Sequence, residues 1–235
     1  MLARISLPRR ARHEGENPFW ISFSDLMSAL MVLFLVVMAV TLVSVTQDVT
    51  SSEHQKTQRE QDIAELMATI AERSREFPEV KVDQSTYRID LGDMVRFERG
   101  RSDIGSGSAR FLRRYVPVLL QAQKTELGQR WVRRIVVEGF TDADGTYLYN
   151  LGLSLERSKR VVCTLFAPAL PGEPAMSDEH QRQIRDLFLV GGYSFNSMKA
   201  SKEASRRVEL KVDFWSVGEQ PEAGSPSNDK EIGQC

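Results

Sequence analysis

Histidine, cysteine and excess charge are all scarce in this chain of 235 residues, which has 3 His, 2 Cys and a formal net charge of −1. His13, His54 and His180 fall in a tail, a polar linker and an expected surface loop. None shares a motif with a candidate nucleophile, which argues against a hydrolase or any other enzyme. No run of His, Cys, Asp or Glu has the spacing of a metal site, so neither a resident metal nor a cofactor is expected. Cys163 lies in an expected helix, and Cys235 ends a tail, "SVGEQPEAGSPSNDKEIGQC", rich in Pro, Gly and Ser. The two could meet in an oxidising compartment, but this placement predicts two free thiols. A basic block is missing as well. Beyond the N-terminal tail the nearest approach is Arg130, Arg133 and Arg134 near an expected strand start, so no nucleic-acid partner is expected.

Charge is also missing locally. From Trp20 to Val45 the only charged residue is Asp25, whereas both flanks are crowded with charge. A bilayer core of roughly 30 Å needs about 20 helical residues, and this run supplies 26. A secretory signal fits poorly, because the run is too long, holds an acid, and is followed by "SVTQD" without a small-x-small cleavage pattern. Apolar character all round the cylinder favours lipid over a soluble core. Arg4, Arg9, Arg10 and Arg12 precede the run, and by the positive-inside rule residues 1–18 face the cytoplasm while the chain beyond about residue 46 is exported. The expectation is a single-pass membrane protein with its N-terminus inside and its C-terminal domain exported.

Residues 47–77 are polar and rich in helix formers, with Pro78 as a stop. Ile63, Leu66 and Ile70 step by three and four, which reads as a short coiled-coil seam for a homodimer or as a solvated spacer. From residue 80 short β-rich runs alternate with amphipathic helices: strand and turn in "TYRIDLGDMVRF", helix in "SARFLRRYVPVLLQAQ", strand in "RRIVVEGF", helix in "YLYNLGLSLERSKRVVCTLF", helix into strand in "HQRQIRDLFLVGGYS", and a last strand in "RRVELKVDF". The fold class is therefore a single N-terminal transmembrane helix (19–45), a helical linker (46–79) and an α/β domain, an α+β sandwich over 80–216. A cytoplasmic tail (1–18) precedes them and a disordered tail (217–235) follows.

The densest chemistry lies in "VEGFTDADGTYLYNLGLSLERSKRVV", residues 137–162. A strand ends at Gly139, a polar turn carries Thr141, Asp142 and Gly145, and the next helix puts Asn150, Leu153 or Ser154, and Arg157 on one face. An acid and a guanidinium meeting at one rim can hold a zwitterion: Asp142 would receive the ammonium and Arg157 would bind the carboxylate in bidentate fashion. Read singly, Asp142 is a helix cap and Arg157 a solvated charge. The spacing of Gly139, Thr141, Asp142, Gly145, Tyr149, Asn150, Leu153, Ser154 and Arg157 resembles the OmpA-like peptidoglycan-binding domain, and "ASRRVEL", with Arg206, Arg207 and Glu209, is similar to its late arginine-bearing strand. The resemblance covers about residues 85–214 and implies a mixed sheet. It also implies binding of peptidoglycan through Thr141, Asp142, Tyr149, Asn150, Leu153, Arg157, Arg206 and Arg207, with Asp142 and Arg157 on the amino and carboxylate groups of diaminopimelate. Phe140 stands where many members carry His or Tyr and is expected to alter a rim contact.

Asp25 needs its own reason, because an ionised side chain at mid-membrane costs about 2.5 to 3.5 kcal/mol on insertion scales. Asp is too short to reach far toward the headgroups, and Phe23, Leu26 and Leu30 surround it with apolar bulk. The reading that fits is a carboxylate that takes up and releases a proton as an ion crosses. The run "FWISFSDLMSALMVLFLVVM" resembles the transmembrane segment of MotB-type stator subunits, in which such an aspartate carries the ion. Together with the short arginine-bearing tail and compact length it is most similar to the B subunits of Zorya anti-phage defence systems. That resemblance implies a MotA-like partner, five copies around a dimer of this chain, and transport of H⁺ or Na⁺. A flagellar stator and a passive envelope anchor are the alternatives.

Overall fold

The computed structural model describes residues 17–169, 172–219, 233 and 235. The N-terminal arginines lie outside the described residues, as does most of the expected tail. The chain divides into two compact units, Met1–His54 and Gln55–Cys235. A helix, α1 (Asn17–Arg73), runs through the junction without a break. Its first part is long and apolar enough to cross a membrane. There the large apolar side chains from Trp20 to Val49 are exposed all round, the surface of a helix whose solvent is lipid.

The last turns of α1 behave differently. Ile63, Leu66, Met67 and Ile70 are at most 3% exposed and belong to the core of the second unit. The expected dimer seam is thus covered by its own chain. An apolar stripe at helical spacing reports that something covers it, without reporting what. Polar contacts fix the docking: Trp131 Nε1 donates to Asp62 at 2.8 Å, and Arg59 donates to the Trp215 carbonyl at 2.7 Å. Burial raises the Asp62 carboxyl, but the hydrogen bonds from Trp131 and Gln58, with Arg130 nearby, outweigh it and hold the group below its ordinary value. The unit therefore begins well before residue 80.

The remaining elements are β1 (Lys81–Asp83), β2 (Arg88–Asp90), α2 (Ser106–Gln123), α3 (Glu126–Trp131), β3 (Val132–Gly139), α4 (Tyr147–Phe166), α5 (Asp178–Leu187), β4 (Phe188–Gly192), α6 (Lys202–Ser205) and β5 (Val208–Phe214). Five strands form one mixed sheet in the order β1-β2-β5-β3-β4, with β3 and β4 parallel and the other pairs antiparallel. Alternate residues Ile89, Ile135, Val137, Leu210 and Val212 are buried, as the two-residue period of a one-sided sheet requires. α4 and α5 lie against this sheet, and α2 lies against both helices. The close approach of β3 to α4 depends on Gly139: a Cβ there would stand 2.0 Å from the Ser154 carbonyl oxygen. Arg113 on α2 is buried with Glu173 and donates to the carbonyls of Thr164, Ala167 and Pro168. It places a cation at the C-terminal end of α4, where the helix dipole favours one.

The cysteines correct the sequence expectation. Cys163 and Cys235 form a disulfide across a separation of 72 residues, with Cα atoms 5.8 Å apart, a closure that spacing alone does not reveal. By loop entropy such a bridge stabilises by about 4 kcal/mol. Reductant is therefore expected to lower the melting temperature of the second unit measurably. An unchanged melting curve with both thiols alkylated would contradict a structural role.

Candidate functional site

The site grows from the β3–α4 connection. Gly145 turns the chain at φ +101°, a conformation that suits glycine. Thr146 caps α4 by accepting from the Tyr149 amide at 3.4 Å. Asn150 is buried and donates to the carbonyls of Asp144 at 2.9 Å and Thr146 at 3.2 Å, so the turn is stapled to its own helix. Asp142 accepts the Asp144 amide at 3.2 Å through Oδ1 and Arg206 Nη1 at 2.9 Å through Oδ2. Its acidic function is therefore paired within the chain, and the hydrogen bond to Asp142 holds Arg206 above its ordinary pKa.

Arg157, at the foot of the cleft, is held from several sides. It is fully buried. Nε donates to the Arg101 carbonyl at 2.9 Å, Nη1 to the Phe140 carbonyl at 2.9 Å and Nη2 to the Glu98 carbonyl at 3.0 Å. The guanidinium also lies 5.0 Å from the Phe97 ring centroid. Burial pushes its pKa down to about 10, partly offset by Asp142, which leaves it charged at neutral pH. Arg157 thus fastens the 97–101 loop to the end of β3.

Between these parts opens a cleft of about 250 Å³, lined by Arg99, Asp142, Asp144, Tyr149, Leu153 and Arg157 among others. Of the expected site residues, Asp142, Tyr149, Asn150, Leu153 and Arg157 come together here, and Arg206 reaches it through Asp142. Thr141 is buried behind the rim, its amide donating to the Ser194 carbonyl at 2.9 Å. Arg207 does not belong. Its side chain pairs with Glu209 at 2.7 Å, donates to the Ser197 carbonyl at 3.1 Å and stacks 4.2 Å from the Phe140 ring centroid. Arg206 ends α6 and Arg207 leads into β5, and their side chains take separate partners, so only Arg206 reaches the cleft. On its face Arg207 answers a row of facing carboxylates, Asp90, Glu209 and Glu138, whose repulsion needs cations nearby. Phe140 is buried between Arg207 and Tyr193 and is not a rim contact.

Sequence reasoning missed Arg99 and Asp144. The only hint of Arg99 was a turn-like Gly100 in "FERGRSD", some forty residues before the motif. Asp25 lies in the other unit, on the exposed apolar part of α1. No Lys, Arg or His occurs between residues 14 and 53, so the apolar part of α1 holds no counterion.

Residues 8–52 match a family described as the membrane MotB of the proton-channel complex MotA/MotB. Over 214 residues the chain is 45% identical to the Zorya protein ZorB of Escherichia coli O139:H28, covering 91% of this chain and 87% of that protein. Among solved structures, a putative MotB-like protein from Desulfovibrio vulgaris matches with a TM-score of 0.42 at 16% identity over 70% of this chain and 99% of that one. The OmpA-like domain of FopA1 from Francisella tularensis matches with a TM-score of 0.35 at 13% identity over 55% and 75%. Scores this low leave the assignment to the sequence relative. The chain belongs to the ZorB family of MotB-like membrane proteins.

Proposed function

We propose that this chain is the B subunit of a proton-driven inner-membrane motor, anchored to peptidoglycan and working in anti-phage defence. The N-terminus is cytoplasmic and the second unit periplasmic. Two copies pair inside a ring of five MotA-like A subunits, and Asp25 carries the ion. The observation that carries the reading is one chain holding both a lone carboxylate in an apolar span and a charged cleft built on the β3–α4 turn. A proton suits a lone carboxylate better than Na⁺ does, because a hard cation asks for several oxygen ligands at once. Dimerisation cannot use Ile63, Leu66 and Ile70, which their own unit buries.

In the cleft, Asp142 is the hydrogen-bond acceptor for a ligand ammonium, with Arg206 donating to its Oδ2 at 2.9 Å. Losing a charged hydrogen bond costs about 1.5 to 3 kcal/mol. Asp142→Ala in the full-length, detergent-solubilised protein is therefore expected to weaken co-sedimentation with purified peptidoglycan sacculi by at least about tenfold. Unchanged co-sedimentation would remove wall anchoring from the account.

A further inference from the structure

Arg207, which does not reach the wall cleft, lines a different cavity. That cavity holds about 410 Å³, and apart from Gly92 and Ala204 every residue lining it is charged. The two cavities share a seam, the bridge between Arg96 and Arg207. Arg99 and, through Asp142, Arg206 serve the wall cleft, whereas Arg96 and Arg207 line the second cavity.

Donors outnumber acceptors there. The Arg207 side chain is 4% exposed, yet it uses only Nε, to Glu209 at 2.7 Å, and Nη1, to the Ser197 carbonyl at 3.1 Å. Nη2 makes no hydrogen bond among the described residues, and a buried donor left open calls for an acceptor. Lys81 forms no ion pair among the described residues. Lys199 divides its ammonium between Asp90 and Glu209, each at 3.3 Å, and Arg96 meets Asp93 through one nitrogen. The acids are mostly committed. Asp90 also accepts the Gly92 amide at 3.0 Å, so among the described residues Glu79 is the lining acid that no cation meets.

We propose that this second cavity binds a phosphate monoester carried on a small polar body, a sugar or polyol phosphate. Such a group brings about −1.5 to −2 charges and three strong acceptor oxygens, which answers donors that converge from separate segments: buried Arg207, Lys81 on β1, and Arg96. A carboxylate has two oxygens in one plane, enough for one guanidinium edge and no more. Arg96 and Lys199 are free to share their acids with a ligand, because ion pairs on side chains 39% and 43% exposed are weak. Exposed Glu79 and Asp93 accept hydroxyl hydrogen bonds and repel a second anionic group on the ligand. With no large apolar side chain in the lining, an acyl chain gains nothing there.

The test titrates full-length protein, in neutral detergent and phosphate-free buffer, with glycerol 3-phosphate by calorimetry. The parent should bind it saturably at a single site, and acetate should displace it only at a concentration at least about tenfold higher. Lys81→Gln and Arg96→Gln, both at exposed positions, should each weaken binding by about tenfold while keeping the parental melting temperature and sacculus co-sedimentation. Short-chain phosphatidic acid should bind no tighter than glycerol 3-phosphate. Much tighter binding of the lipid would overturn the polyol assignment in favour of a membrane headgroup. Sacculus binding lost in the two variants at a parental melting temperature would overturn the cavity as a site separate from the wall cleft. No saturable binding by the parent, equal affinity for acetate, or binding unchanged in both variants would overturn the proposal outright.

Discussion

Replacing Asp25 with asparagine is expected to abolish biological activity while leaving membrane insertion, complex assembly and wall binding intact. Asparagine is neutral and nearly isosteric, so it preserves packing and removes only the group that takes up and releases a proton. Nothing in the apolar run can substitute, since Asp25 is the only ionisable residue from Trp20 to Val45. A charge falling through the membrane potential yields about 2.3 kcal/mol per 100 mV, enough to bias a stepwise rotation when the central subunit is held still. Asp25→Glu keeps the chemistry with a longer arm and is expected to retain a fraction of activity. Plaque counts on cells carrying the complete system read the outcome. Full protection by the Asn variant would leave a passive envelope anchor as the better description.

The second large effect falls on Arg157. Arg157→Ala removes the donors to Glu98, Phe140 and Arg101 and the cation over Phe97. Breaking a buried charged group away from its partners typically costs about 3 to 5 kcal/mol, so the variant is expected to melt far earlier than the parent and to lose sacculus binding with its fold. Arg157→Lys should recover little, because one ammonium on a flexible stem cannot reach three divergent carbonyls. Circular-dichroism melts of the purified full-length variants measure this. A parental melting temperature combined with lost binding would make Arg157 a direct ligand contact instead of the fastener of the 97–101 loop.

What could be read from sequence was set by locality. α4 starts and stops where its pattern does, at residues 147 and 166, because its apolar spacing and the Thr146 cap are local signals. The β3 strand, the final strand and the apolar part of α1 were legible for the same reason. The five-residue β4 followed directly from the α5 pattern, while the three-residue β1 was too short to carry a period. The cleft was half legible. Its Asp142 wall is contiguous with the motif, but the loop bearing Arg99 arrives from residues 97–101, drawn in by hydrogen bonds that span 56 and 59 positions. The disulfide joins residues 72 apart, with no pattern to mark the return. The Ile63, Leu66 and Ile70 stripe announced burial correctly and its partner wrongly, since spacing distinguishes a covered face from a bare one but not one chain from two.

The central claim is that one carboxylate in the apolar helix conducts protons. The most direct measurement is proton flux through membrane vesicles in which this chain and its A subunit are co-reconstituted, followed with an interior pH-sensitive dye after an imposed potential. The account predicts flux with Asp25 that falls to the level of empty vesicles with Asp25→Asn, at equal amounts of assembled complex. Equal flux from both proteins would contradict it.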